Sequence, residues 1–248
     1  FILSYCDRAL GITSAEEQPV LPKGNNLSLY LLELFTSQVA KVGMTDGIRQ
    51  VLQEESDALR AYYEQAGILI ARPAGGTSCR LAISAKGGTN AENHNHNDVG
   101  SYAVALGSET MVGDQGGPNS YPGDYFNGDA PQKYKIKGSF GHPVPVVDGR
   151  IQSSGGKAKG VVLQKEFTNE KDVFSIDYTS AYSTPNLDKL IRTFVYDRQG
   201  EGNFTVGDEF TAKTPIRFET AITTRADWKV LDDTHLLLAT DSEQMIVA

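Results

Sequence analysis

Short runs of mainly apolar residues recur along the chain after residue 67. The ten runs are Ile68 to Ala71, Cys79 to Ser84, Tyr102 to Leu106, Thr110 to Val112, Val144 to Val147, Gly160 to Leu163, Val173 to Tyr178, Ile191 to Tyr196, Phe204 to Val206 and Ile216 to Thr223. They are separated by glycine-rich joints, and their β-branched and aromatic residues are typical of strands. No helical pattern or fixed repeat interrupts them. The pattern therefore predicts one mainly β domain over residues 67–248, a large antiparallel β-sandwich.

The residues before this region show a helical pattern instead. An apolar cluster from Leu29 to Phe35 follows Asn26-Leu27-Ser28, and Thr45-Asp46 suits the cap of a helix from Gly47 to Ala66. Within that helix the apolar residues recur at roughly helical spacing: Ile48, Val51, Leu52, Leu59 and Tyr62 or Tyr63. We therefore predict a short helical segment over residues 1–66 that connects to the sandwich.

Composition and charge exclude some classes of function. The 248 residues are 40% hydrophobic and 22% charged, which is ordinary for a globular protein with a substantial core. The net charge is -8 and the pI is near 5.0, so the average field offers no basic face for nucleic acid. No apolar run approaches the ~20 residues that a membrane-spanning helix needs.

The two cysteines bear on disulfide bonding, and the two chain ends bear on the extent of the protein. Cys6 and Cys79 belong to no CxxC pair, so we expect two buried thiols rather than a zinc ribbon or a disulfide framework. The chain begins at Phe1 without a methionine and ends at Val247-Ala248 within strand-like sequence. We therefore expect a fragment from which any export signal is already missing.

The segment His94-Asn95-His96-Asn97-Asp98 is the strongest chemical signal in the chain. If the segment is extended, its two imidazoles and the Asp98 carboxylate face the same way, because alternate side chains of a strand share a face. Downstream, Asp114 follows the apolar run that ends at Val112, and His142 lies in Gly141-His142-Pro143. Imidazoles combined with a carboxylate suit either a divalent metal or acid/base chemistry.

These segments, in this order, resemble the C-terminal β-sandwich of heparinase II/III-like polysaccharide lyases. The match consists of three segments near the histidines and two further downstream: His94 to Tyr102, Gly113-Asp114-Gln115-Gly116, Gly141-His142-Pro143, Ile176 to Tyr182 and Arg192 to Arg198, with Asp208 following. The resemblance implies a supersandwich-like fold that follows an α/α toroid, with the glycan bound between the two. Residues 1–66 would then be what is left of the toroid and its connection.

The resemblance also implies a metal site. In this sequence the matching ligands are His96, Asp114 and His142, which would hold a structural divalent ion, expected to be zinc, while His94 points at the substrate. From the residues alone the opposite assignment stays open, with His94 as ligand and His96 as the catalytic group. Asp98 could orient either imidazole, or it could be an acidic residue at the end of a strand.

Several further residues are candidates for the chemistry of an eliminative lyase. Tyrosine suits proton transfer, and Tyr125 ranks first and Tyr121 second among three tyrosines between Asp114 and His142, with Tyr134 third. Each could equally be a ring packed on the sheet. Cationic side chains that could bind a carboxylated glycan are Lys133, Lys135 and Arg192. The lysines alternate with Lys137, however, which also fits the solvent face of a strand.

The leading hypothesis is therefore the C-terminal domain of a lyase that cleaves a uronic-acid-containing polysaccharide by β-elimination. We expect an acidic polysaccharide or oligosaccharide as partner, a periplasmic or secreted location, and little activity from this chain alone, because the toroid supplies part of the catalytic site. An oligomer is compatible with this hypothesis. The alternative is a non-catalytic carbohydrate-binding or structural sandwich. A cupin-like metalloenzyme is disfavoured, since the first glutamate after His96 is the distant Glu109.

Overall fold

The structure is a computed structural model, and it describes residues 58–114, 116–117 and 120–248. These residues form fifteen strands and one short α-helix. The strands are β1 (Arg60–Tyr63), β2 (Ile68–Ala71), β3 (Leu81–Lys86), β4 (Gly88–Asn90), β5 (Tyr102–Leu106), β6 (Glu109–Val112), β7 (Val146–Val147), β8 (Gly155–Phe167), β9 (Lys171–Asp177), β10 (Leu187–Asp197), β11 (Asn203–Ala212), β12 (Phe218–Glu219), β13 (Asp227–Val230), β14 (Leu236–Ala239) and β15 (Gln244–Val247). The helix is α1 (Ala130–Lys133), and 3₁₀ turns span Lys135–Lys137, Ser139–Gly141 and Thr179–Ala181.

The strands form two large antiparallel sheets and two small ones. One five-stranded sheet has the order β1-β2-β3-β5-β6, and the other has the order β11-β10-β9-β8-β4. A two-stranded sheet pairs β12 with β7, and a three-stranded sheet has the order β13-β14-β15. The predicted class, a mainly β antiparallel sandwich, is therefore confirmed.

The core lies between the two large sheets. In β3 burial alternates strictly along the strand, so that Leu81, Ile83 and Ala85 point inward, as expected for a sheet with one covered face. The other sheet contributes Phe174 and Phe194, whose rings stack with centroids 6.0 Å apart. Burying such large apolar side chains is the main favourable contribution to folding.

A buried ion-pair network also joins the two sheets. The carboxylate of Asp172, in β9, is fully buried and pairs with Arg60 of β1 at 2.9 Å and with Arg198, which follows β10. Arg198 also donates to the backbone carbonyls of Leu59 and Arg72 at the start and end of the β1-β2 hairpin. A buried carboxylate needs such partners, since an uncompensated buried charge is strongly unfavourable.

The predicted strands are confirmed, and one predicted helix is corrected. All ten predicted runs overlap strands of the structure, whereas β1, β4, β13, β14 and β15 correspond to none of those runs. The predicted helix from Gly47 to Ala66 is wrong at its C-terminal end, because Arg60–Tyr63 is a strand paired with β2. The other helical predictions, and the prediction for Cys6, lie outside the described residues; Cys79 is buried with a free thiol, as predicted. In the described part of the chain, no helix has both the length and the apolar character of a membrane span.

Candidate metal centre

The three side chains predicted to bind metal lie together in the structure. His96 Nδ1 is 3.1 Å from His142 Nε2, and Asp114 Oδ2 is 3.5 Å from His142 Nδ1 and 4.0 Å from His96 Nδ1. One ligand atom from each residue can be chosen so that all of them lie within 4.8 Å of one another. Two imidazoles and a carboxylate in a group of this size have the donor atoms and the spacing that a zinc-like ion requires.

The three residues come from three separate segments. His96 lies in the loop between β4 and β5, Asp114 is separated from the end of β6 by Gly113, and His142 follows the 3₁₀ turn Ser139–Gly141. Gly141 permits the close packing of that turn, because a Cβ at this position would lie 2.5 Å from the carbonyl oxygen of Ile136. Any larger residue would have to displace backbone immediately before His142.

Gln152 connects the loop between β4 and β5, residues 91–101, to the segment that carries His142. We call this loop the histidine loop. Its side chain is fully buried; the amide oxygen accepts from the Val99 N–H at 3.0 Å, and the amide nitrogen donates to the Val99 carbonyl at 2.6 Å. Its backbone carbonyl accepts from Asn97 Nδ2, and its backbone N–H donates to Ser139 Oγ, both at 3.0 Å. The positions of His96 and His142 therefore depend on the same buried polar group.

Burial favours the neutral form of the His96 imidazole. Burial and the neighbouring His142 lower the pKa of His96, and the nearby carboxylates of Asp114 and Asp98 oppose this effect only in part. A neutral imidazole is the form that coordinates a metal. Asp114 Oδ1 accepts from the Gly116 N–H at 2.6 Å, which leaves Oδ2 directed at the two imidazoles. The side chain of Asp114 is 48% exposed, so the cluster is open on one side.

His94 does not lie on the same face as His96, which corrects the prediction of an extended histidine segment. The segment is a loop rather than a strand, and His94 adopts a left-handed backbone conformation with φ 60°. Its imidazole is exposed and stacks on Phe126 with ring centroids 4.3 Å apart. The carboxylate of Asp98 forms an ion pair with Lys86, and its backbone N–H donates to Asn90 Oδ1. Asp98 therefore stabilises the loop through both its side chain and its backbone.

The candidate tyrosines differ in their access to solvent. Tyr121 is 57% exposed, whereas Tyr125 is buried with its ring 6.4 Å from that of His96. Within the described residues the Tyr125 hydroxyl has no hydrogen-bond partner, and burial raises its pKa. The Tyr134 hydroxyl donates to Asp124 at 2.5 Å and is thereby occupied.

The lysines do not lie on a strand, so the predicted solvent face is wrong. Lys133 ends α1 and pairs with Asp124 at the surface, while Lys135 is exposed in the following 3₁₀ turn. Lys137 is only 3% exposed; its ammonium donates to the carbonyl of Tyr125 at 2.8 Å and lies 4.9 Å from the centre of the Phe126 ring. Lys133 and Lys135 are therefore accessible to an anionic ligand, whereas Lys137 is part of the site's interior.

Arg192 is not accessible to a glycan, which corrects its predicted role in substrate binding. Its side chain is 1% exposed and forms two hydrogen bonds with the carboxylate of Asp208, at 2.8 and 2.6 Å. The remaining donor, Nη1, binds the carbonyls of Gly100 and Pro143 at 2.8 and 2.7 Å. Gly100 lies near the end of the histidine loop, and Pro143 follows His142. Arg192 therefore holds two of the segments that form the candidate metal centre, from the interior of the sandwich.

Comparison with known proteins supports the fold. No protein-family model and no curated protein sequence matches the chain. Among solved structures it is similar to heparan sulfate lyase HepC from Pedobacter heparinus, with a TM-score of 0.63 and 14% identity over 88% of this chain. A mutant of the same lyase gives a TM-score of 0.62 and 16% identity over 86% of this chain.

The likeness is one of fold rather than of close sequence. The chain spans only about a third of the length of those lyases, 33% and 32%. The described residues therefore share the β-sandwich fold of those solved structures. Both of the solved structures named above are of a heparan sulfate lyase.

Proposed function

We propose that the chain is the sandwich portion of a polysaccharide lyase that cleaves a uronic-acid-containing glycan by β-elimination. The observation that carries the proposal is the convergence of His96, Asp114 and His142 from three segments, beside an exposed His94. The likeness to heparan sulfate lyase supports the same reaction class. The expected periplasmic or secreted location stays a prediction.

The reaction requires three chemical contributions. The carboxylate at C5 of the uronate must be neutralised, the C5 proton must be removed by a base, and the departing O4 must be protonated. His94 is exposed and suits a proton transfer at the sugar, and Tyr121 is the more accessible of the two leading tyrosines. The exposed ammonium of Lys135 is the cation best placed to attract the glycan, because Lys133 already pairs with Asp124.

A divalent ion, proposed to be zinc, suits the cluster of His96, Asp114 and His142. When bound, it would supply a cross-link between the three segments that carry these residues, which stabilises a folded site because binding free energy becomes folding free energy. In this proposal His94 and Tyr121 transfer the protons. His96, Asp114 and His142 bind the ion and so stabilise the loop that carries His94.

The test is an elimination assay on the protein encoded by the complete gene. Heparan sulfate, chondroitin sulfate and alginate are offered separately, and the ultraviolet absorbance of the unsaturated uronate product is followed over time. We expect absorbance to rise with at least one of these glycans, and we expect little or no rise with the present chain alone. The His235→Ala variant is a matched control, since His235 pairs with Asp232 in the turn between β13 and β14.

The outcomes separate the two hypotheses. Binding of an acidic glycan with no rise in absorbance would contradict the lyase proposal and favour a non-catalytic carbohydrate-binding sandwich. Absence of both binding and absorbance with every uronate glycan would contradict an acidic polysaccharide as the partner.

A further inference from the structure

Phe126 contacts His94 and the two leading candidate tyrosines, Tyr121 and Tyr125. Its ring centroid is 4.3 Å from that of His94, 5.2 Å from that of Tyr121 and 5.3 Å from that of Tyr125. No other aromatic ring in the described residues contacts all three of these side chains. Phe126 has no group that can transfer a proton, so any part it plays in the chemistry must act through its neighbours.

His94 depends on this contact for its orientation. Catalytic histidines are usually oriented by a carboxylate or a carbonyl that accepts from one ring nitrogen. In the described part of the chain, the imidazole of His94 has no hydrogen bond or ion pair, and its one ring contact is the stack on Phe126, with an interplanar angle of 29°. Its left-handed backbone conformation, φ 60°, is uncommon for a residue with a side chain. Such conformations persist where surrounding contacts hold them.

Phe126 is itself held from the interior. The buried ammonium of Lys137 lies 4.9 Å from the centre of its ring, a distance typical of a cation–π contact. The ring of Tyr125 meets it edge to face, with an interplanar angle of 84°. Phe126 nevertheless stays 45% exposed. The ring therefore links a fixed interior to the exposed His94 and Tyr121.

We propose that Phe126 is a positioning residue that sets the orientation of the His94 imidazole and its distance from Tyr121. This inference rests on the proposed function, in which His94 and Tyr121 transfer protons. A shift of about 1 Å in a reacting group can cost about a hundredfold in rate, even without loss of substrate contacts. The role therefore predicts a loss in kcat rather than a rise in KM.

Three variants of the complete protein test the proposal. Phe126→Leu keeps an apolar side chain but removes the ring, and Phe126→Tyr keeps the ring. Phe210→Leu removes another exposed phenylalanine, which lies in β11, outside the segments that carry the site, and stacks on Phe218. We expect Phe126→Leu to lower kcat about a hundredfold with KM close to wild type. Phe126→Tyr and Phe210→Leu are expected to stay near wild type in both constants.

A spectroscopic measurement separates this inference from the proposed function. The ring-proton resonances of His94, assigned by their loss in His94→Ala, report the stacked ring directly. We expect them to move in Phe126→Leu and to stay in place in Phe210→Leu. Unmoved resonances in Phe126→Leu, wild-type kcat in that variant, or a loss confined to KM would each overturn the positioning role. If the wild-type protein has no lyase activity, the proposed function fails, and the resonances alone decide whether Phe126 orients His94.

Discussion

His94→Ala in the complete protein is expected to lower kcat by about 10²- to 10⁴-fold, the contribution typical of a positioned acid or base. The reason is its placement: His94 is exposed, lies in the same loop as His96, and is free of the hydrogen bonds that a structural histidine would make within the described residues. The measurement is the initial rate of product absorbance at saturating glycan. His235→Ala should retain wild-type kcat.

The same variant also distinguishes His94 from His96. The imidazole of His96 faces His142 and Asp114, whereas that of His94 stacks on Phe126, outside the cluster. His94→Ala is therefore expected to lose activity but to keep its bound metal. Full activity in His94→Ala, or loss of both activity and metal, would contradict the separate roles that we assign to the two histidines.

Arg192→Met is expected to lower the free energy of unfolding by about 3–5 kcal/mol, as when one partner of a buried ion pair is removed. The change leaves the carboxylate of Asp208, mostly buried, without its bidentate partner. It also leaves the backbone carbonyls of Gly100 and Pro143 without the Arg192 N–H groups that donate to them; Gly100 lies in the same loop as His96, and Pro143 follows His142. Urea denaturation, followed by circular dichroism, measures the difference.

Arg217→Met is the matched control for this prediction. Arg217 is exposed and pairs with Glu219 at the surface, an interaction worth at most about 1 kcal/mol. If the two variants unfold at the same urea concentration, the buried pair does not stabilise the sandwich as we describe.

The sandwich could be predicted from sequence because its strands have one covered face, which gives the alternating pattern seen in β3. The same alternation in β10 places Arg192 on the inward face with Leu190 and Phe194. The position of Arg192 in this alternation predicts that it is buried, but a cationic residue in a strand is more readily interpreted as a surface group. Strand β1 was mistaken for helix because Leu59 and Tyr63, four residues apart, fit both the helical and the strand period, and pairing with β2 decides between them.

The candidate metal centre was predictable only from the resemblance and the residue types. His96, Asp114 and His142 are brought together by loops whose shapes depend on distant contacts, such as those of Gln152. No local pattern encodes such contacts. Phe126 and Lys137 were missed for the same reason: one is an exposed ring and the other a buried cation, the reverse of what their residue types favour.

Metal analysis of the purified protein tests the central claim most directly, since the account depends on His96, Asp114 and His142 holding one ion. We predict one equivalent of zinc per chain in the wild type and in His94→Ala, and a loss of that zinc in His96→Ala. A full equivalent of zinc retained by His96→Ala, or no zinc bound by the wild type after incubation with the metal, would contradict the account.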